Sequence, residues 1–262
     1  METLTLVGWM VAVSLGYMML VWVLSLVVRD AGIVDSFWGP GFVVLAAVAP
    51  VLGGARTSRD LLVLALVAIW AGRLAGHITA RNWGKGEDWR YRKWREEAGP
   101  AFWWKSYFKV FLLQGVTLVI VAAPILAVAA SRGPARLSPL DIAGCAVWLA
   151  GLSFEAVADW QLARFKRNPA NRGRVMDRGL WRLSRHPNYF GEAIVWWGLF
   201  LVALGVPGGY WAAIGPIAIT FLLVRVSGVR MLEKGLLDRK PGYADYVRRT
   251  SSFVPWPPRR GA

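Results

Sequence analysis

A chain of 262 residues that is 56% hydrophobic, with 16 tryptophans and a mean hydropathy of +0.41, exceeds the roughly 45–50% apolar share of a soluble domain. Its net charge of +15 does not point to nucleic acid, because the basic residues fall in loops between apolar runs, as positive-inside bias in a membrane protein requires. A single cysteine, Cys145, inside an apolar run excludes a disulfide framework and a paired-cysteine zinc site, and no metal site is expected.

The chain starts Met1-Glu2-Thr3-Leu4, without the basic stretch of a signal peptide, and the apolar run that follows is too long for a signal core. It reads as the first membrane helix. Seven spans are drawn at about residues 4–28, 36–52, 60–81, 107–130, 139–162, 188–206 and 209–228, each near the ~20 residues that cross a bilayer. Val206-Pro207-Gly208-Gly209 is a tight turn between the last two. No repeat or linker interrupts the pattern, so residues 1–262 are read as one all-α membrane domain. The loops after spans two, four and six hold only Arg56, Arg59, Arg132 and Arg136. The opposite side carries Arg29, a cluster from Arg81 to Lys109, another from Arg164 to Arg185, and the tail, a bias of roughly six to one. The N-terminus is therefore expected outside and the C-terminus in the cytoplasm.

Charged side chains inside spans are costly unless paired, so each marks a candidate site. Span five carries Glu155 and Asp159 four residues apart, on one helical face. Span six opens with Asn188 and has Glu192 one turn deeper. Span three ends with Arg73, His77 and Arg81, then Asn82; Arg225 and Arg230 end span seven, and Asp35 begins span two. All lie toward the cytoplasmic side. Structural ion pairs, Glu155 or Asp159 with Arg73 or Arg225, account for any one pair equally well. So many groups at one depth favour a hydrated pocket, and the outer half holds too few acids for an ion path. The adjoining loop carries Arg164, Lys166, Arg167, Arg172, Arg174, Arg178, Arg182 and Arg185. Guanidinium forks suit phosphate oxygens, which points to a phosphorylated cofactor. No glycine-rich strand-to-helix fingerprint is present, so helix ends and side chains would have to hold a nucleotide.

The string Arg185-His186-Pro187-Asn188-Tyr189-Phe190-Gly191-Glu192, preceded by Gly179-Leu180-Trp181, resembles the C-terminal signature of the steroid 5α-reductase family. The tail Gly242-Tyr243-Ala244-Asp245-Tyr246 with Ser252-Phe253-Val254-Pro255-Trp256 continues the likeness. Asp35-Ser36-Phe37-Trp38-Gly39 resembles its bacterial branch, the DUF1295 proteins. Isoprenylcysteine carboxyl methyltransferases and sterol reductases carry close variants of the first string. The resemblance implies a seven-helix reductase in a bacterial cytoplasmic membrane that uses NADPH to reduce the double bond of a 3-oxo-Δ4 steroid or similar lipophilic enone. It implies cofactor contacts from Asn188, Glu192, Glu155 and Asp159, phosphate contacts from Arg164 and Lys166, and further contacts from His77, Arg81, Asn82 and Arg225. Arg185, His186 and Tyr189 of the signature and Tyr246 of the tail complete the implied cofactor set. The family's ketone-binding acid falls on Asp35, and its tyrosine position falls near Trp70, a departure that puts a classical steroid substrate in doubt.

The implied chemistry is hydride transfer to the β-carbon while an acid stabilises the oxygen that gains charge. Asp35, beside Phe37 and Trp38 and with no basic residue nearer in sequence than Arg29, is expected to be a neutral donor. Two rivals stand beside this reading. One is an S-adenosylmethionine-dependent methyltransferase, whose cofactor has no phosphate for the arginine-rich loop. The other is a small transporter, which needs a path through the outer half.

Overall fold

In a bilayer the backbone can satisfy its own donors and acceptors only as helices or closed barrels, and this chain folds as helices. The computed structural model describes residues 2–54, 56–131, 136–226, 233 and 240–259. The structure is 80% helical, with no strand among the described residues. Among the described residues six helical stretches are long and apolar enough to cross a membrane: Thr3–Val28, Ile33–Gly53, Ser58–Asn82, Trp89–Val121, Pro139–Arg167 and Gly209–Val226. They fit an integral, multi-pass membrane protein. Arg132 and Arg230 lie outside the described residues.

Two of the seven expected spans come out differently. Residues 188–206 do form a helix, Pro187–Leu204, but its first two turns carry Asn188 and Glu192, which lower its hydropathy, so it is not among the six. The expected span 107–130 is divided. Pro124 has no N–H to give the preceding turn, and a separate helix, Ala123–Ala130, follows with every residue from Ala123 to Ala129 buried. The crossing stretch reaches back to Trp89 instead, through a break at Gly99 (φ 54°) and a π-helical turn at Tyr107–Leu112.

In chain order the α-helices among the described residues are α1 (Thr3–Val28), α2 (Ile33–Gly53), α3 (Ser58–Asn82), α4 (Trp89–Ala98), α5 (Phe102–Ser106), α6 (Leu113–Val121), α7 (Ala123–Ala130), α8 (Pro139–Arg167), α9 (Pro187–Leu204), α10 (Ile214–Phe221) and α11 (Tyr243–Arg249). They fall into two compact units. The first runs to Asp141 and includes Val202–Gly215; the second is Ile142–Leu201 with the chain from Pro216 onward.

In the first unit, α1, α2 and α3 pack with α6 and α7 around Met10, Met18, Phe42, Trp70, Leu118 and Ile125. Two hydroxyls inside this core donate to backbone: Ser14 Oγ to the Gly115 carbonyl at 2.8 Å, and the Tyr17 hydroxyl to that of Phe37 at 2.7 Å. A capping box starts α3, Thr57 Oγ1 accepting from Asp60 N while Asp60 Oδ2 accepts from Thr57 N. Beside it Arg59, counted above among the outer loop charges, turns inward. Its Nε and Nη2 bind Asp141 Oδ1 and Oδ2 at 2.7 and 2.8 Å, and both side chains are 2% exposed. This end of the first unit is thus not free of charge; it holds a paired, fully buried fork.

In the second unit, α8 and α9 run antiparallel at backbone contact. A Cβ added at Gly191 would lie 2.5 Å from the Glu155 nitrogen, one at Gly151 2.6 Å from that of Val195, and one at Gly198 2.6 Å from that of Trp148. No side chain fits at these crossings, and small residues of this kind let helices associate in lipid by close packing.

Candidate functional site

The glycine crossing sets the geometry of the polar cluster. Because Gly191 touches the backbone at Glu155, the acids on α8 and the polar residues opening α9 meet across the seam. Asn188 Nδ2 donates to Asp159 Oδ1 at 3.2 Å. Glu155, Asp159 and Glu192 are all buried, Glu155 to 2% exposure. The second polar atom of Asn188, Oδ1, is buried and has no hydrogen-bond partner among the described residues. A buried acceptor left open is a cost of about 1–3 kcal/mol unless a ligand or water fills it. Farther along α8, Arg164 and Lys166 are exposed, with the Arg164 guanidinium 5.4 Å from the Trp160 ring centre. Arg167, Arg172, Arg174, Arg178 and Arg182 are exposed as well, so most of the loop's positive charge faces outward.

The signature string is bound into the C-terminal tail. Arg185 turns inward: Nε and Nη2 pair with Glu233 at 2.7 and 3.1 Å, and Nη1 donates to the carbonyls of Val247 and Thr250. His186 Nε2 lies 3.1 Å from the same Glu233 oxygen, and its ring stacks on Tyr189 at 5.5 Å. The Tyr246 hydroxyl, buried, donates to the Trp181 carbonyl, and the Trp181 indole donates to the carbonyl of Ala158 on α8. Ser184 Oγ donates to the Phe253 carbonyl, and Trp256 N to that of Leu183. Arg185, His186 and Tyr246 thus fasten the C-terminal strap to the loop that delivers Asn188. Arg225 is exposed, on a π-helical turn at the end of the last long helical stretch.

Electrostatics agree with that role. Burial pushes the Glu233 carboxyl up, but hydrogen bonds from His186 and Arg185 outweigh it and hold it below its ordinary range. Burial raises the Tyr243 phenol to about 12 and pushes Tyr246 higher still, so both remain neutral donors. Glu233 had no signal in the sequence. The fasteners did have one, the aromatic and proline-rich tail.

The first unit holds the other expected residues. Asp35 is in the first turn of α2, and both its oxygens are taken: Oδ2 accepts from Arg90 Nη2 and Oδ1 from the Tyr91 hydroxyl, each at 2.7 Å. The expectation of an unpartnered acid is overturned, since Arg90 and Tyr91 already engage both of its oxygens. Its partners are 55 and 56 residues away in sequence, which spacing could not reveal. Trp70 is 0% exposed and meets Trp38 and Phe42 edge-on at 6.5 and 5.7 Å, within the core of the first unit. His77 and Asn82 are half-buried and Arg81 is exposed near the end of α3; Arg81 Nε donates to Asn82 Oδ1 at 3.2 Å.

Among the described residues, no group of three or more His, Cys, Asp or Glu is placed to hold a metal ion. What fold and site define is an all-helical protein of membrane-spanning character with a buried amide–carboxylate cluster flanked by basic residues. Residues 21–250 match the model of a family described as "Protein of unknown function (DUF1295)", and the chain belongs to that family. It is also similar to a protein named "Probable O-methyltransferase ustE" from Ustilaginoidea virens, 34% identical over 89 residues. That stretch is 34% of this chain and 31% of the relative, so the chain matches less than a third of the relative's length. No solved structure matches the chain.

Proposed function

We propose that the protein is a membrane-embedded oxidoreductase of the steroid 5α-reductase type. It uses NADPH to reduce the C=C bond of a lipophilic enone, with the C-terminus and the cofactor cluster on the cytoplasmic side. The observation that carries this reading is the part-buried Asn188–Asp159 pair with its buried, open Asn188 Oδ1, on a helix seam where α8 continues into exposed basic residues. The donor set fits a dinucleotide. Amide and carboxylate groups match a carboxamide and ribose hydroxyls. Arg164 and Lys166 lie about 8 and 11 Å beyond Asp159 at 1.5 Å per residue, a separation suited to phosphates.

NADPH, when bound, supplies a hydride for the β-carbon of the enone. The residues of the chain bind and orient it. Asn188 offers its open carbonyl to a donor, while Glu155, Asp159 and Glu192 are placed to accept from hydroxyl groups. The glycine seam fixes their positions, and burial keeps water away. Asp35 has no donor role in this reading; it positions Arg90 and Tyr91.

The methyltransferase reading keeps one specific observation in its favour, the relative named as an O-methyltransferase. Three buried carboxylates also suit a sulfonium or ammonium cation. Turnover in lipid nanodiscs with a panel of lipophilic enones and NADPH deuterated at the transferable position separates the two. The reductase reading requires one deuterium at the β-carbon of a product. A product carrying a methyl group from S-adenosylmethionine, with no deuterium transfer, contradicts it.

A further inference from the structure

The first unit carries a crevice of about 560 Å³ that the proposed reaction does not use, lined by Leu26, Arg29, Arg95 and Trp103. It lies where α1 ends and the elbow between α4 and α5 turns. The surrounding surface has the composition of a bilayer interface: Trp89, Trp103, Trp104 and Phe108 are exposed, interleaved with Lys105 and Lys109. Trp103 is fixed at the rim, its ring 6.5 Å from that of Trp22, whose indole N–H donates to the Trp103 carbonyl at 3.0 Å.

The two arginines are held differently. Arg95 is aimed by Glu87, which takes its Nε and Nη2 at 2.8 Å each, and lies 4.3 Å from the Phe102 ring centre; its Nη2 also reaches the Arg29 carbonyl at 3.4 Å. Arg29 is the one described non-glycine residue in the left-handed region, φ 57°, where it closes α1. Its exposed guanidinium meets no partner among the described residues. The nearby acids are occupied. Glu87 also accepts from Ala31 N, and Asp30 accepts from Gly32 N, its carboxyl pushed up by burial and by Glu87 beside it.

We propose that this crevice binds the phosphate of an anionic phospholipid headgroup, with Arg29 as the principal cation, Arg95 as the second, and Leu26 and Trp103 against the start of an acyl chain. An apolar wall joined to a guanidinium at interface depth matches a lipid phosphate better than a soluble one, and basic recesses between membrane helices are recognised headgroup sites.

Native mass spectrometry of the full chain in detergent, titrated with phosphatidylglycerol, phosphatidylcholine or soluble glycerol 3-phosphate, tests this. Phosphatidylglycerol should be retained more tightly than phosphatidylcholine, and glycerol 3-phosphate should not displace it. Arg29→Asn, which suits the left-handed conformation, should weaken phosphatidylglycerol about five- to ten-fold and leave phosphatidylcholine unchanged. Arg29→Lys should fall between, and guards against misfolding of the first variant. Equal retention of the two lipids, an undiminished preference in Arg29→Asn, or displacement by glycerol 3-phosphate would overturn the assignment.

Discussion

Gly191 lies so close to Glu155 that an added Cβ would stand 2.5 Å from the Glu155 backbone nitrogen. This single approach brings the α8 acids against Asn188. Gly191→Ala should therefore push the helices apart, at a cost of about 1–3 kcal/mol from overpacking, and weaken cofactor binding along with stability. Thermal unfolding of the variant in nanodiscs, with and without NADPH, measures both. A variant as stable as the parent would mean the seam is looser than its geometry.

Asp35→Leu removes the acceptor shared by Arg90 and Tyr91 while Asp88 still pairs with Arg90 at 2.8 Å. The loss of two hydrogen bonds, one of them charge-assisted, predicts a stability drop of about 1–3 kcal/mol with cofactor affinity kept. Asp35→Asn, which still accepts one bond, should recover part of it. Parallel denaturation and NADPH titration of the two variants check this.

Glu233 gives the C-terminal strap a pH dependence. Its carboxyl is depressed below the ordinary 4.5 in the folded protein, because the bonds from His186 and Arg185 outweigh its burial. A group depressed on folding adds stability that is fully present above its unfolded value and lost as pH falls through the folded one. Glu87 and Asp88, outside the spans, are depressed likewise by Arg95 and Arg90 against their burial. The midpoint of unfolding should hold near neutral pH and fall below about pH 4.5, and Glu233→Gln should shallow that fall. An acid profile unchanged by the substitution would show that the Glu233 contacts carry no net stability.

Arg164→Ala and Lys166→Ala remove exposed charges without disturbing the buried cluster. If either meets the 2′-phosphate, NADPH affinity should drop roughly 10- to 150-fold for one lost charge-assisted bond, while NADH changes little. Titrations with both nucleotides report the difference. Equal losses for the two would assign these residues to the shared pyrophosphate instead.

The sequence showed some of this directly. Uninterrupted apolar runs announced the helices, and the four-residue spacing of Glu155 and Asp159 put their carboxylates on one face. The divided stretch after Tyr107 was less visible, because Pro124 sits in an apolar run that hydropathy alone joins up. Contacts distant in sequence were not visible at all. Asp35 looked isolated because Arg90 and Tyr91 come from a helix two elements later. Arg185 and His186 showed no partner because Glu233 is 48 and 47 residues on. The glycines did leave a trace: Gly144 and Gly151, and Gly191 and Gly198, are each seven residues apart, the spacing of an antiparallel helix seam.

The central claim is that the Asn188 cluster holds a phosphorylated nicotinamide dinucleotide. Equilibrium titration of the purified protein in nanodiscs with NADPH, NADH and S-adenosylmethionine, repeated with Asn188→Leu, addresses it most directly. NADPH should bind most tightly of the three, and Asn188→Leu, still folded, should lose roughly 10- to 150-fold in affinity for it. Saturable binding of S-adenosylmethionine with none of NADPH would contradict it.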